Sequence, residues 1–140
     1  MAQPLAAPVP TDVRRAIEGA VEQYRQAYEV QSLDGLGNLF VHDLDVVSVY
    51  QGQVYQGWSQ IKADQTRRLQ DATKVRMVIT DLNIQALGTE VAVATAGLER
   101  NIGDDATTTT ARGTVTLVFH KSEERWKIAS EHFSYPTGTP

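Results

Sequence analysis

Cysteine is absent from this 140-residue chain. Its absence excludes disulfide bonds, a thiolate nucleophile and any metal centre that is ligated by cysteine. The three histidines, His42, His120 and His132, show neither i,i+4 nor His-x-His spacing, so the sequence predicts no metal site. It also has no P-loop, GxGxxG or G-x-S-x-G motif, and no cofactor is therefore expected.

Positive charge and long apolar runs are also scarce. Lys and Arg number 13 against 17 Asp and Glu, for a net charge of −4, whereas a general nucleic-acid binder carries a basic face. No apolar run approaches the roughly 18 residues of a membrane-spanning helix. The start, MAQPLAAPVP, lacks the basic and apolar regions of an intact signal peptide. We therefore expect a cytoplasmic protein, or a periplasmic or secreted one if an export signal has been removed.

The first half of the chain has helical periodicity. Residues 1–10 are expected to form a flexible leader, residues 11–136 a single domain and residues 137–140 a tail. From Val13 to Tyr28 the apolar residues recur at helical spacing, and Thr11 or Asp12 is the expected N-cap. Ser32 favours a short second helix, and a third, exposed helix is predicted from Trp58 to about Ala72.

The rest of the chain has the pattern of strands. "VVSVYQGQVYQG" predicts a short hairpin before the third helix, and the second half contains four long β-branched runs with polar or Gly-containing turns. Strands joined by short turns run antiparallel. Three helices segregated from such a sheet define an α+β fold.

Three stretches carry a family resemblance. They are "VEQYRQAYEVQSLDGLGNLF", "VYQGQVYQGWSQI" and "RGTVTLVFHKSEERWKIASEHFSYP", and together they span most of positions 13 to 136. In order and spacing they resemble the SnoaL-like branch of the NTF2-like superfamily. The resemblance implies three helices packed into a strongly curved antiparallel sheet, with a conical pocket between them and frequent dimerisation through the convex face.

The ketosteroid isomerases of this superfamily use an aspartate base and an oxyanion hole of a tyrosine and a protonated aspartate. By resemblance, Tyr24 matches the oxyanion tyrosine, Ser48 falls where the base stands and Val115 falls near the second aspartate. Two of the three functional residues are therefore missing. The resemblance implies the pocket without the complete isomerase machinery.

Glu131 and His132 are neighbours in the last strand, "RWKIASEHFSY", so their side chains point to opposite faces. Parity groups Glu131 with Ala129 and Phe133, and His132 with Trp126 and Ile128. The first group is expected to face the pocket, as the resemblance implies for Glu131 and Phe133. A bulge would reverse the assignment, and then His132, Arg112 and Thr114 would line a cationic pocket instead of forming a dimer interface.

The candidate catalytic residues are Glu131, as acid or base, and Tyr24, as hydrogen-bond donor; each also has a purely structural interpretation. The candidate ligand-binding residues are Tyr28, Trp58, Val115, Leu117, Phe119 and Phe133. Trp58 is either a lid over the pocket or a core residue. Asp43 and Asp45 form either a carboxylate pair or a solvated turn.

The sequence thus predicts a homodimeric small-molecule-binding protein with an enclosed, largely apolar pocket. Two alternatives stay open: an enzyme of the isomerase, cyclase or dehydratase type that moves a proton on a carbonyl compound, and a non-catalytic association module.

Overall fold

The computed structural model of the chain describes residues 8–69, 72–104 and 106–136. Residues 1–7 of the expected leader and the whole expected tail lie outside the described residues. The described part contains three helices and six strands: α1 (Thr11–Glu29), α2 (Leu33–Gly37), β1 (Val47–Tyr50), β2 (Gln53–Gln56), α3 (Trp58–Leu69), β3 (Lys74–Leu87), β4 (Val91–Gly103), β5 (Thr108–Ser122) and β6 (Arg125–Ser134).

Helix α1 presents one apolar face to the sheet. Its buried residues are Ile17, Val21, Tyr24, Ala27 and Tyr28, which share one face at steps of three and four. The expected cap is wrong: Pro10 occupies the N-cap position and no side chain caps the helix. Proline preorganises this turn because its fixed φ suits a helix start.

The two short elements after α1 follow the expected chemistry. The Ser32 hydroxyl caps α2 by accepting a hydrogen bond of 2.9 Å from the backbone N–H of Gly35. The β1–β2 hairpin turns through Gln51 and Gly52, both at positive φ, as a tight two-residue turn requires. Helix α3 (Trp58–Leu69) buries the polar residues Asp64 and Gln65, and residues 70 and 71, next to its expected end, lie outside the described residues.

The six strands form one sheet in the order β2-β1-β6-β5-β4-β3. Strands β3 to β6 are antiparallel neighbours, as expected, but β1 runs parallel to β6. The expected α+β fold, with three helices on an antiparallel sheet, is confirmed, and β1–β6 is the parallel exception among the described strands. A parallel pair of strands needs a long connection, and the elements from β2 to β5 form the connection between β1 and β6.

A bulge in β6 corrects the parity assignment. Val118 pairs with Ser130 but Phe119 pairs with Ile128, so Ala129 is an extra residue. Ile128 therefore lies on the helix side and is fully buried, although simple alternation placed it on the outer face. Trp126 was misplaced for the same reason: it lines a cavity of about 640 Å³ together with α1 residues such as Ala16 and Gln23.

The core lies between the helices and the inner face of the sheet. Its largest fully buried apolar side chains include Phe119, Phe133, Leu117 and Met77. A second bulge, between Thr80 and Asn83 of β3, adds to the bending that such irregularities give a strand. No helix in the described ranges is long and apolar enough to cross a membrane.

Candidate functional site

Glu131 lies at the centre of a buried network of hydroxyl groups. Its side chain has no exposed surface. The Ser48 hydroxyl donates a hydrogen bond of 2.7 Å to Oε1, and the Tyr24 hydroxyl donates a short hydrogen bond to Oε2. The Tyr28 hydroxyl donates to the same Oε2 from 3.5 Å. The carboxyl group is thus surrounded by hydroxyl donors and makes no direct ion pair with a described residue.

Two features of the fold bring these groups together. The parallel register of β1 and β6 sets Ser48 directly beside Glu131. Tyr24 and Tyr28 are one helical turn apart on α1, so both hydroxyls point from the same face; their rings meet edge to face at 4.9 Å. The network therefore joins α1, β1 and β6.

Helix α3 adds a polar layer above the network. Gln65, which is fully buried, donates a hydrogen bond of 3.3 Å from Nε2 to the Tyr28 hydroxyl. Its Oε1 has no hydrogen-bond partner among the described residues. A buried acceptor without a partner is costly, so this oxygen has an unused capacity to accept a hydrogen bond beside the network.

Burial controls the protonation of the network. Desolvation raises the pKa of the Glu131 carboxyl, and the hydrogen bonds from Tyr24 and Ser48 offset only part of the rise. Burial, together with the nearby Glu131, also raises the pKa of Tyr24 well above its usual range and raises that of Tyr28. Both tyrosines therefore stay protonated donors at neutral pH. The pKa of Glu131 is thus held above its usual range, and perturbed carboxyl groups of this kind are frequent at functional sites.

An aromatic wall extends from the network along β6. The rings of Tyr28 and Phe133 lie 6.5 Å apart, those of Phe133 and Tyr50 lie 5.9 Å apart, and Tyr135 stacks parallel to Phe133 at 6.3 Å. The guanidinium of Arg68 lies 4.5 Å from the centre of the Tyr50 ring. The rings pack against one another, and Tyr28 and Phe133 are each only 1% exposed.

The apolar row expected to line the pocket faces the helices. Val115, Leu117 and Phe119 are at most 3% exposed, and Val115 and Leu117 pair with Phe133 and Glu131 across the β5–β6 ladder. Their inward direction agrees with the predicted alternation of side chains along β5. Their role in binding a ligand stays a prediction.

The residues assigned to an interface or to an alternative pocket lie on the opposite face. His132 and Thr114 are exposed, and Arg112 is 76% exposed and forms a 3.0 Å ion pair with Glu99. The bulge at Ala129 precedes Glu131, so it does not reverse the end of β6. These side chains therefore stay away from the Glu131 network.

Trp58 packs apart from the network, at the start of α3. Its ring stacks on His42 at 5.0 Å and lies 5.4 Å from Phe40. It also lies against Gly37, where a Cβ atom would meet the indole at 2.8 Å. These contacts agree with the interpretation of Trp58 as a core residue.

Asp43 and Asp45 belong to a solvated turn before β1. Both are exposed, and the Asp43 carboxylate accepts a 2.8 Å hydrogen bond from the backbone N–H of Asp45. Strand β1 begins only at Val47, so both aspartates precede the strand. Strand alternation therefore does not place their carboxylates on one face.

Sequence reasoning missed several residues that surround Glu131. Gln65 and Arg68 belong to a helix that was expected to be mainly exposed, and Arg100 and Tyr135 were not assigned a site role. One available signal was the spacing of Ile61, Gln65 and Arg68, at i, i+4 and i+7 on one helical face. Ser48 was considered only as the residue that falls, by resemblance, where the isomerase base stands, and it was not expected to bind Glu131.

The chain matches the family of SnoaL-like domains over residues 17–138. Its fold is that of the NTF2-like superfamily, also described as cystatin-like. The chain belongs to the SnoaL-like domain family within it.

Solved structures with this fold are distant in sequence. An NTF2-like superfamily protein from Salmonella enterica serovar Typhimurium has a TM-score of 0.83 at 20% identity, covering 93% of this chain and 95% of its own. A candidate dehydratase of the NTF2-like family from Streptomyces avermitilis has a TM-score of 0.82 at 18% identity, covering 92% and 100%. A candidate scytalone dehydratase from Novosphingobium aromaticivorans has a TM-score of 0.81 at 15% identity, covering 90% and 85%. At these identities the likeness establishes the fold alone. No curated protein sequence matches the chain.

Proposed function

We propose that this protein binds a small, mainly apolar molecule between its helices and the inner face of the sheet, beside Glu131. The observation that carries the proposal is the fully buried Glu131, held by the hydroxyls of Tyr24, Tyr28 and Ser48 without a cation in contact. Burying a carboxyl group in this way costs stability. A core of apolar side chains would be more stable, so a functional role for the carboxyl explains its presence.

In this proposal the ligand binds at Oε2 of Glu131. Oε1 accepts the 2.7 Å hydrogen bond from Ser48 and Oε2 accepts the short one from Tyr24, whereas the Tyr28 contact to Oε2, at 3.5 Å, is at the outer limit of a hydrogen bond. A hydroxyl or enol of a ligand would replace that long contact. The neighbouring Phe133 supplies an apolar wall.

The binding proposal is tested with 2-naphthol, which has a flat apolar body and one hydroxyl donor. We expect isothermal titration calorimetry to give one site per chain. Glu131→Gln should weaken binding by on the order of 1–3 kcal/mol, because it replaces a charged or strongly polar acceptor with an amide. His132→Gln, on the opposite face, is the control and should leave the affinity unchanged.

The opposite pattern would overturn the proposal. If 2-naphthol does not bind, or if His132→Gln weakens it as much as Glu131→Gln does, the inner face beside Glu131 is not the site.

A second candidate function is proton transfer on a carbonyl compound, with Glu131 as acid or base and Tyr24 as donor to the developing oxyanion. The specific support is the direct hydrogen bond between these two side chains, with the raised pKa of Glu131. The candidate dehydratases among the structural relatives are compatible with such chemistry.

Ketosteroid isomerisation is not expected from this site. The position of the isomerase base holds Ser48, whose hydroxyl is too weak a base at neutral pH and is already donated to Glu131. Assayed with a β,γ-unsaturated ketosteroid, the protein should give no more than trace turnover. Robust turnover would mean that Glu131 has taken over the role of the base.

The outer face of the sheet supports a further proposal, that the protein is a homodimer. Because Trp126 and Ile128 lie on the inner side, the apolar part of the outer face is a patch of partly exposed valines around Thr116 and His132. The patch consists of Val47, Val49, Val93 and Val118. Light scattering at micromolar concentration should give a mass near twice the 15.4 kDa of the chain. A mass near that of one chain would favour a monomer and would count equally against an association module built on this face.

A further inference from the structure

Two arginine side chains meet at the end of the aromatic wall. The guanidinium of Arg68, from α3, lies 4.5 Å from the centre of the Tyr50 ring, and that of Arg100, from β4, lies 5.1 Å from the same centre. Arg100 also donates a hydrogen bond to the Tyr50 hydroxyl and lies 5.1 Å from the centre of the Tyr135 ring. Two cations therefore share one aromatic ring inside the fold.

The chain makes room for this arrangement on β5. Opposite Arg100 the strand has Ala111, and two residues further it has Gly113. A Cβ atom at Gly113 would meet the Tyr135 ring at 2.9 Å and the Ser134 carbonyl oxygen at 2.0 Å. Small residues at these positions let Arg100 and Tyr135 reach across the inner face of the sheet.

Some of the donors in this cluster have no partner. Arg68 uses Nε for a 2.9 Å bond to Asp64, but its Nη2 is buried and makes no hydrogen bond within the described ranges. The hydroxyl of Tyr135 is likewise buried and unpartnered there. Buried donors are nearly always hydrogen-bonded in native proteins, so this pair indicates a missing acceptor.

The charge balance indicates an anionic acceptor. Asp64 is already shared between Arg67 and Arg68, and Glu131 is held by hydroxyls. Arg100 forms no ion pair with a carboxylate among the described residues. Like charges held close together inside a protein repel one another, and one bound anion would relieve that repulsion.

We propose that Arg68, Arg100 and the Tyr135 hydroxyl bind the carboxylate of the ligand, which is therefore an aromatic carboxylic acid. A guanidinium stacked on a ring keeps its N–H groups free at the edge, where their geometry matches two carboxylate oxygens. The rings of Phe133, Tyr50 and Tyr135 supply the surface for the aromatic body, which extends from there toward Glu131. This inference rests on the proposed binding function and specifies its ligand class.

The Tyr135 hydroxyl gives a clean test position. Burial raises the pKa of Tyr135 to about 12, although Arg100 opposes the rise, so the group remains a donor at neutral pH. Because this hydroxyl has no partner in the described structure, Tyr135→Phe should leave the thermal unfolding midpoint unchanged or slightly raised. Any loss of carboxylate binding in this variant then reports on recognition and not on folding.

The experiment compares 2-naphthoate with 2-naphthamide by isothermal titration calorimetry on the full chain. These probes share shape and differ in charge. We expect the carboxylate to bind at least about tenfold more tightly, which corresponds to roughly 1.4 kcal/mol. Tyr135→Phe and Arg100→Gln should reduce this ratio, Arg68→Lys should reduce it by removing the planar fork while keeping the charge, and the exposed Arg112→Gln should not change it.

Each other outcome has a separate meaning. If 2-naphthol binds in a Glu131-dependent manner but the carboxylate has no advantage over the amide, the carboxylate site is wrong and the proposed function stands. If the advantage is present and survives all three cluster substitutions, the carboxylate binds elsewhere and the assignment is overturned. If none of the three probes binds, both the inference and the proposed function fail.

Discussion

Replacing Glu131 with Gln should stabilise the protein at pH 8, and the gain should shrink toward pH 4. Burial raises the pKa of this carboxyl in the folded state, so the folded protein binds its proton more tightly than the unfolded chain does. The stability that this tighter proton binding gives the folded protein is fully present below the pKa of a glutamate in the unfolded chain, about 4.3. It is lost as the pH rises through the pKa of Glu131 in the folded protein. Gln resembles the protonated carboxyl at every pH.

Thermal unfolding of the two proteins across this pH range measures the effect. We expect a gain of about 1–2 kcal/mol at pH 8, the scale of a buried polar group relieved of its desolvation cost, or roughly 3–4 °C for each kcal/mol. Glu124→Gln is the matched control, because that side chain is 91% exposed, and should have little effect. A constant difference between Glu131→Gln and the parent at all pH values would show that Glu131 does not titrate differently on folding.

Introducing a second carboxyl group beside Glu131, by Ser48→Asp, should destabilise the protein strongly at pH 8. The Ser48 hydroxyl oxygen lies 2.7 Å from Glu131 Oε1, so two carboxyl groups would meet in a buried site and could not both ionise. A second buried charge without a partner costs about 3–5 kcal/mol.

The pH dependence of Ser48→Asp separates charge from size. If the folded pair retains one proton that the unfolded chain releases, stability should fall by about 1.4 kcal/mol per pH unit above the unfolded carboxyl pKa values. Ser48→Asn introduces nearly the same volume without a second carboxyl group, so it should keep only the pH dependence that Glu131 itself gives the parent protein. Equal losses in the two variants at pH 8 would mean that crowding, and not charge, is responsible.

The sequence predicted the elements whose causes are local. The apolar stripe of α1, the Ser32 cap and the positive-φ turn at Gly52 each depend on residues within a few positions of one another. The inward direction of Glu131 was expected from the family resemblance together with alternation in β6. The pairing of Glu131 with Tyr24 was within reach because both were identified as candidates for the same site.

Features that depend on residues far apart in the sequence could not be predicted from local patterns. The parallel pairing of β1 with β6 joins Ser48 to Glu131 across 83 residues, and no local pattern specifies it. The inward face of α3 is polar because Gln65 and Arg68 contact groups from other elements, so the helix has few apolar residues from which its buried side could be recognised. The bulge at Ala129 leaves no signature in the alternation of β6 itself.

That bulge has a consequence for how such a site changes over generations. Because Ala129 divides β6 into two registers, a single-residue insertion or deletion near it would turn Glu131, Phe133 and Tyr135 outward together, unless the strand slid to restore its pairing. One small genetic event could thus replace the whole lining contributed by the end of β6, where substitutions would need several steps. Alignments of this chain with distant relatives therefore need a gap allowed at Ala129, since a one-residue error there would compare inner residues with outer ones.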